Sequence, residues 1–213
     1  MKLNIARIND EREIVAGTVK SVNPGTGAAK GKIVNVELEG AVWNKETGED
    51  EMRSISIAFS KTDRADMADR VVKAKVAPGS IICVEVYKKD GKYYGNRFMY
   101  RGHWVIPASE TVREKNIFMG VIASMKTGTS SAGNNYTRVS SPVDKYNDNE
   151  PEWNSITFWN NEKSNVADRA AKLLKERDGE KAQAIVVCGE KEEFQGRPQY
   201  KGWEFQKIIR NDN

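Results

Sequence analysis

Two stretches decide how this sequence folds: SISIAFSKTDRADMADRVVKA, residues 54–74, and NSITFWNNEKSNVADRAAKLL, residues 154–174. In each, an alternating apolar run (Ile55, Ile57 and Phe59; Ile156 and Phe158) leads into the triplet Ala-Asp-Arg, at Ala68-Asp69-Arg70 and again at Ala167-Asp168-Arg169. Alternation over a short run marks a half-buried strand, and the spacing after the triplet marks a short helix. A strand and a helix recurring at a fixed displacement make the chain a tandem repeat.

Outward from these anchors the repeat widens. Ile14–Val19 (IVAGTV) echoes Ile117–Ile122 (IFMGVI), with Gly17 against Gly120. Tyr93-Tyr94-Gly95 and Tyr100-Arg101-Gly102 read against Phe194-Gln195-Gly196 and Tyr200-Lys201-Gly202. The domains are therefore expected at 1–110 and 111–213, each near the ordinary size of a small domain. In the first copy, strands are expected at 14–19, 32–42, 52–59, 81–87 and 97–105. Its helix should begin near Thr62 or Asp63 and stop at Pro78-Gly79. In the second, strands are expected near 117–126, 135–143, 153–159, 182–188 and 199–208, with a helix from about Asn165 to Arg177. Three strands, one helix and two strands give an all-β class with small helices: two tandem five-stranded OB-fold barrels.

On strand 153–159, Ile156 and Phe158 point one way, and Trp153, Ser155, Thr157 and Trp159 the other. Indoles separated by small polar residues suit a platform for bases, since every base has a π-face. A subunit interface and simple half-burial are the other readings of the pair. In the second copy Tyr136 and Arg138 share a face, a stacking group beside a phosphate partner. The first copy places Ser54 and Ser60 where the second has Trp153 and Trp159, and shows Glu37 and Glu39 outward, so the second barrel is expected to bind more strongly. Hairpins around Tyr93-Tyr94 and Phe194 bring aromatics beside Lys88, Lys89, Lys92 and Arg97, and beside Lys191 and Arg197. These suit a threaded single strand, or are ordinary turns with tyrosines on the barrel rim.

PEWNSITFWNNEKSNVADRAAKLLK resembles the third strand and helix of the bacterial and phage single-stranded DNA-binding proteins, in which a tryptophan opens the strand and an aromatic follows six residues later. The resemblance implies stacking roles for Trp153 and Trp159. GKIVNVELEGAVWNKETGE is similar to the family's second strand and following loop, which implies the same role for Trp43. Gly17 and Gly120 match the glycine of the family's first strand. By the same resemblance the partner is single-stranded DNA, held without cofactor or chemistry in replication, recombination or repair, and a homodimer would supply the family's four barrels. Cellular members end in an acidic tail that recruits other enzymes; this sequence ends KIIRNDN, so that recruitment is not expected. A sequence-tolerant single-strand binder encoded by a phage or mobile element is the leading expectation. An OB-fold protein-interaction scaffold and a single-stranded RNA binder are the alternatives.

Composition fits this frame. Hydrophobic residues at 38% and charged residues at 30% give enough apolar material for packed cores, and the net charge of +4 permits a polyanionic partner. Cys83 and Cys188 lie apart in apolar runs, as buried free thiols. His103 is the sole histidine, so neither a Ser-His-Asp constellation nor a histidine metal cluster is indicated, and no metal is expected. GTGAAKGK (residues 25–32) fails as a phosphate loop, with Thr26 at the first glycine position and Ile33 where Ser or Thr belongs. No apolar run reaches membrane-span length, and Asp10, Glu11 and Glu13 stand where a signal peptide needs apolar residues, so a cytoplasmic location without membrane is expected.

Overall fold

The computed structural model describes residues 2–26, 32–44, 46–61, 66–98, 104–108, 115–147, 150–194 and 197–208. The chain divides into two compact units. The boundary expected at 110/111 lies outside the described residues.

The first unit contains β1 (Asn4–Arg7), β2 (Arg12–Thr26), β3 (Lys32–Asn44), β4 (Glu49–Ser60), α1 (Met67–Lys73), β5 (Ile81–Lys89), β6 (Lys92–Phe98) and β7 (Val105–Ile106). Its sheet runs β1-β2-β3-β4-β6-β5-β7, and β2 also pairs with β5, so five strands close into a barrel. A register shift between Val19 and Ser21 lets one strand do both jobs: Arg12–Thr18 pairs with β5, and Thr18–Thr26 with β3. β4 and β6 are parallel, with Ile57 opposite Tyr93 and Ala58 opposite Tyr94. That strand order, with a helix between the third and fourth barrel strands, is the OB-fold.

The barrel closes because every second residue is apolar. Val34, Val36 and Leu38 of β3 meet Ile55, Ile57 and Phe59 of β4, and Val71 of α1 closes one end. Asp66 caps α1, accepting from the Asp69 amide at 2.9 Å. The start expected at Thr62 or Asp63 lies outside the described residues. The helix ends well before Pro78-Gly79, because Lys75 turns left-handed (φ 52°). The Lys75 and Val76 amides then donate back to the carbonyls of Val72 and Val71 at 3.0 and 3.3 Å, and Val76 packs into the core with Val71.

The second unit contains β8 (Lys115–Val121), β9 (Ser124–Thr129), β10 (Asn135–Asn147), β11 (Glu150–Trp159), α2 (Val166–Leu173), β12 (Arg177–Asp178), β13 (Lys181–Ala182), β14 (Ala184–Phe194) and β15 (Arg197–Ile208). Its sheet runs β8-β14-β15-β11-β10-β9, with β11 and β15 parallel. The strand expected over 117–126 is two: at Ile122-Ala123 the chain leaves β14 and joins β10, which closes a second OB barrel. Ile122, Val139, Ile156, Phe158, Val187 and Phe205 fill it. The helix stops at Leu173, short of the expected Arg177, because Leu174 turns extended and is buried in that core.

The repeat corrects at one place. Tyr93-Tyr94-Gly95 corresponds to Tyr200-Lys201-Gly202, and not to Phe194-Gln195-Gly196, since both triplets run parallel to the third barrel strand. A Cβ on Gly95 would lie 2.2 Å from the Phe59 ring, and one on Gly202 lies 2.3 Å from Phe158, so each glycine makes room for the equivalent core phenylalanine. The strand expected over 97–105 accordingly starts at Lys92, and residues 99–103 lie outside the described residues.

Candidate nucleic-acid interface

Residues opposite one another on paired strands share a face. On the outer face of the second barrel, Tyr136 of β10 stands opposite Trp159 of β11 and Gly128 of β9. The Tyr136 and Trp159 rings lie 5.2 Å apart at 48°. Gly128 admits the tyrosine: a Cβ there would sit 2.7 Å from the Tyr136 hydroxyl oxygen. Both residues are half-buried.

The next outward row carries charge. Lys126 is opposite Arg138, Arg138 opposite Thr157, and Thr157 opposite Lys201. Arg138 Nε donates to Thr157 Oγ1 at 3.3 Å. Thr157, expected outward and open, is 1% exposed between its two long cationic neighbours. Lys201 Nζ lies 3.9 Å from Glu192, and Lys126, Arg138 and Lys201 are all exposed. An aromatic shelf thus borders three cations on three strands. Trp153 is opposite Pro142 and 51% exposed, on the same face but about 20 Å along the strand from Trp159.

The other sequence candidates scatter. Tyr93 and Tyr94 take opposite faces: Tyr93 packs against the first core with Lys88 Nζ 5.4 Å from its ring centroid, while Tyr94 points outward and stacks on Tyr87. Arg97 is held by the buried Glu85 carboxylate at 2.7 Å, which also accepts from Asn96 Nδ2 at 2.8 Å. Lys191 is exposed opposite Tyr200. The side chains of Trp43, Phe194 and Arg197 lie outside the described residues; their backbones pair Trp43 with Asp50 and Phe194 with Arg197. Sequence reading missed Gly128, Lys126 and Lys201. Lys201 had a signal, since it precedes the glycine that faces Phe158. It also missed Trp203, at the strand irregularity after Gly202, with Lys115 Nζ 5.0 Å from its ring centroid.

The equivalent face of the first barrel is built differently. The register puts Ile33 and Ser60 where the second barrel has Tyr136 and Trp159, and Asn23 and Asn35 where it has Lys126 and Arg138. Glu37 is held by Lys20 Nζ at 3.0 Å and Ser21 Oγ at 3.3 Å. The Lys20 hydrogen bond keeps the Glu37 carboxyl below its ordinary pKa, so the two form an ion pair on this face.

The molecule is a tandem OB-fold protein, with an outward aromatic and basic face on its second barrel. No known family's sequence profile and no curated protein matches it. Among solved structures it is similar to the wild-type single-stranded DNA binding protein from Thermus aquaticus, at 13% identity and a TM-score of 0.37, over 100% of this chain and 97% of that one. It is also similar to the mitochondrial single-stranded DNA binding protein of S. cerevisiae, at 18% identity and TM-score 0.36, over 46% of this chain and 97% of that one. The small single-stranded DNA-binding protein of Streptomyces coelicolor matches at 12% identity and TM-score 0.33, over 46% and 95%. Among the described residues no helix is long and apolar enough to cross a membrane, and no three His, Cys, Asp or Glu side chains gather to hold a metal ion.

Proposed function

We propose that the chain binds single-stranded DNA with little regard to sequence, on the outer face of the second barrel. The observation that carries this reading is the Tyr136–Trp159 shelf beside Lys126, Arg138 and Lys201. Bases stack on the rings while phosphates reach the cations, and neither contact depends on which base is present. Trp153 extends the track along β11. Protecting or organising DNA in replication, recombination or repair is the role such binding serves. The first barrel has Ile33, Ser60, Asn23 and Asn35 at the positions of the shelf and its cations, which favours a lesser share for that barrel's own second and third strands. A homodimer, bringing together four barrels, is part of the proposal: β1 ends its sheet, and Ile5 on it is 49% exposed. Light scattering at several concentrations tests that part, and a single species at the chain mass throughout overturns it.

Titration with labelled oligo-dT, oligo-rU and duplex of equal length tests the main reading. Tight, tryptophan-quenching binding to oligo-dT with weak duplex binding is expected. Tighter binding to oligo-rU would assign the face to RNA, and no binding to any of the three would leave a protein-interaction scaffold.

A further inference from the structure

We propose that the free end of the β3–β4 hairpin docks, in the absence of nucleic acid, on the aromatic and basic face of another copy's second barrel, so that an arriving single strand has to displace it. The competition rests on the single-strand reading of that face; the docking itself rests on spacing and charge.

The hairpin outruns its barrel. Leu38 and Ile55 are the last opposed residues that are both buried in the core, yet β3 and β4 stay paired as far as Asn44 and Glu49. The tip is held in one shape: Gly48 turns left-handed (φ 70°) and its amide donates to the Asn44 carbonyl at 2.9 Å. Asn44 Oδ1 accepts from the Glu46 amide at 2.9 Å, and Asn44 Nδ2 donates to Glu51. A tip already ordered loses little freedom on docking. Its charge does not suit a phosphate chain: residues 43–53, WNKETGEDEMR, carry Glu46, Glu49, Asp50 and Glu51 against Lys45 and Arg53. Glu51 and Arg53 engage each other at 3.4 Å. Glu46, Glu49 and Asp50 are exposed and have no ion-pair partner among the described residues. Beside them Met52, 67% exposed, is the most exposed large apolar side chain among the described residues.

Asp50 and Met52 lie two residues apart on β4, so they share a face at a spacing of about 7 Å. The second barrel repeats that spacing with the opposite charge. Its Tyr136–Trp159 shelf lies two residues along β10 from Arg138, and Lys126 stands opposite Arg138. Met52 set on the shelf therefore brings Asp50 over Arg138 and Lys126. A thioether packs favourably against aromatic rings, and a carboxylate accepts from a guanidinium fork. The equivalent positions of the first barrel, Ile33 and Ser60 with Asn23 and Asn35, offer neither rings nor cations, so the hairpin has no such partner on a first barrel. Two copies can dock reciprocally, hairpin to face and face to hairpin. That closes a two-fold pair in which both faces are filled. Hairpin and single strand then occupy the same shelf, and each excludes the other.

Light scattering on the full-length parent, Met52→Ser, Asp50→Lys and Arg138→Ala tests the contact, from low salt to about 1 M salt, where charge pairing is screened. Met52 and Asp50 are exposed, so both hairpin variants should melt as the parent does. The parent is expected to associate at low salt beyond its high-salt state, and oligo-dT should reverse that step. Each of the three substitutions should weaken the step by about tenfold. At protein concentrations where the parent associates, Met52→Ser should bind oligo-dT more tightly than the parent; below them the two should bind alike. A parent with no salt-sensitive step, a step that bound oligo-dT leaves intact, or a step unaltered in either Met52→Ser or Asp50→Lys overturns the contact. Tighter oligo-dT binding by Met52→Ser at every protein concentration overturns the second copy as the occupant. A parent that does not bind oligo-dT sinks the single-strand reading instead, and the step in Met52→Ser and Arg138→Ala still decides the contact.

Discussion

Tyr136 leans over Gly128, with its hydroxyl where the first atom of any larger side chain would stand. Gly25, the equivalent glycine in the first barrel, has none of the described residues within 4 Å of such an atom, and Ile33 stands where the tyrosine would be. A Gly128→Val substitution should therefore swing the Tyr136 ring away from Trp159 without unfolding the barrel, since the ring is the free end of a side chain. Affinity for oligo-dT is expected to fall by about 1 kcal/mol, the low end of one stacked base. A melting curve and a fluorescence titration on the same preparation check it; unchanged affinity would mean that the shelf does not bind.

Trp159→Ala and Trp153→Ala address the two ends of β11. Each is expected to weaken oligo-dT binding by about 1 to 3 kcal/mol while leaving the melting temperature near that of the parent. Trp153 is half exposed and carries no core contact, whereas Trp159 leans on Tyr136. Equal affinity with a collapsed melting temperature in either variant would assign that indole to structure.

The barrels were legible in the sequence because Ile55, Ile57 and Phe59, and Ile156 and Phe158, alternate without interruption and each run precedes an Ala-Asp-Arg helix. The hairpins were not. In each barrel one extra residue interrupts the pairing of the fourth and fifth strands, at Glu85/Val86 and at Cys188/Gly189, and an extra residue reverses which side chains face outward. That reversal leaves no simple pattern to show that Tyr94 and Lys201 are equivalent, or that Tyr93 turns inward while Tyr94 turns out. The second hairpin is also longer by two residues on each strand, which is why matching its tip by similarity paired the wrong glycines. Tyr136 and Trp159 could be placed on outward faces from alternation alone, but their contact depends on the β10–β11 register, which no local pattern states.

Alkaline pH should destabilise the first barrel. Burial, then the neighbouring Tyr94, raises the Tyr87 phenol above its ordinary pKa; burial, then Glu13, does the same for Tyr93. The folded chain holds these protons more tightly than the unfolded one, so their contribution is complete below about pH 10 and is lost as the pH rises through the folded values. Thermal melts between pH 9 and pH 12, roughly spanning that window, should show a falling melting temperature. The fall should be shallower in Tyr87→Phe. An identical pH profile in the variant would remove Tyr87 from the account.

Salt dependence separates the cations from the rings. Each phosphate neutralised on a single strand contributes about 0.7 to the slope of log K against log salt, through the counterion it releases. Arg138 and Lys126 stand in one row beside the shelf, and neither is opposite a carboxylate in that row; Lys201, at the row's other end, is opposite Glu190 and near Glu192. Arg138→Ala and Lys126→Ala are therefore each expected to flatten the slope by about 0.7, and Lys201→Ala by less. Trp159→Ala should lower affinity at every salt concentration and leave the slope as it was, because stacking releases no counterion. The opposite pattern, with an unchanged slope in Arg138→Ala, would mean that phosphates do not pass over this row, and the strand would then have to cross the face on the Trp153 side of Ser155.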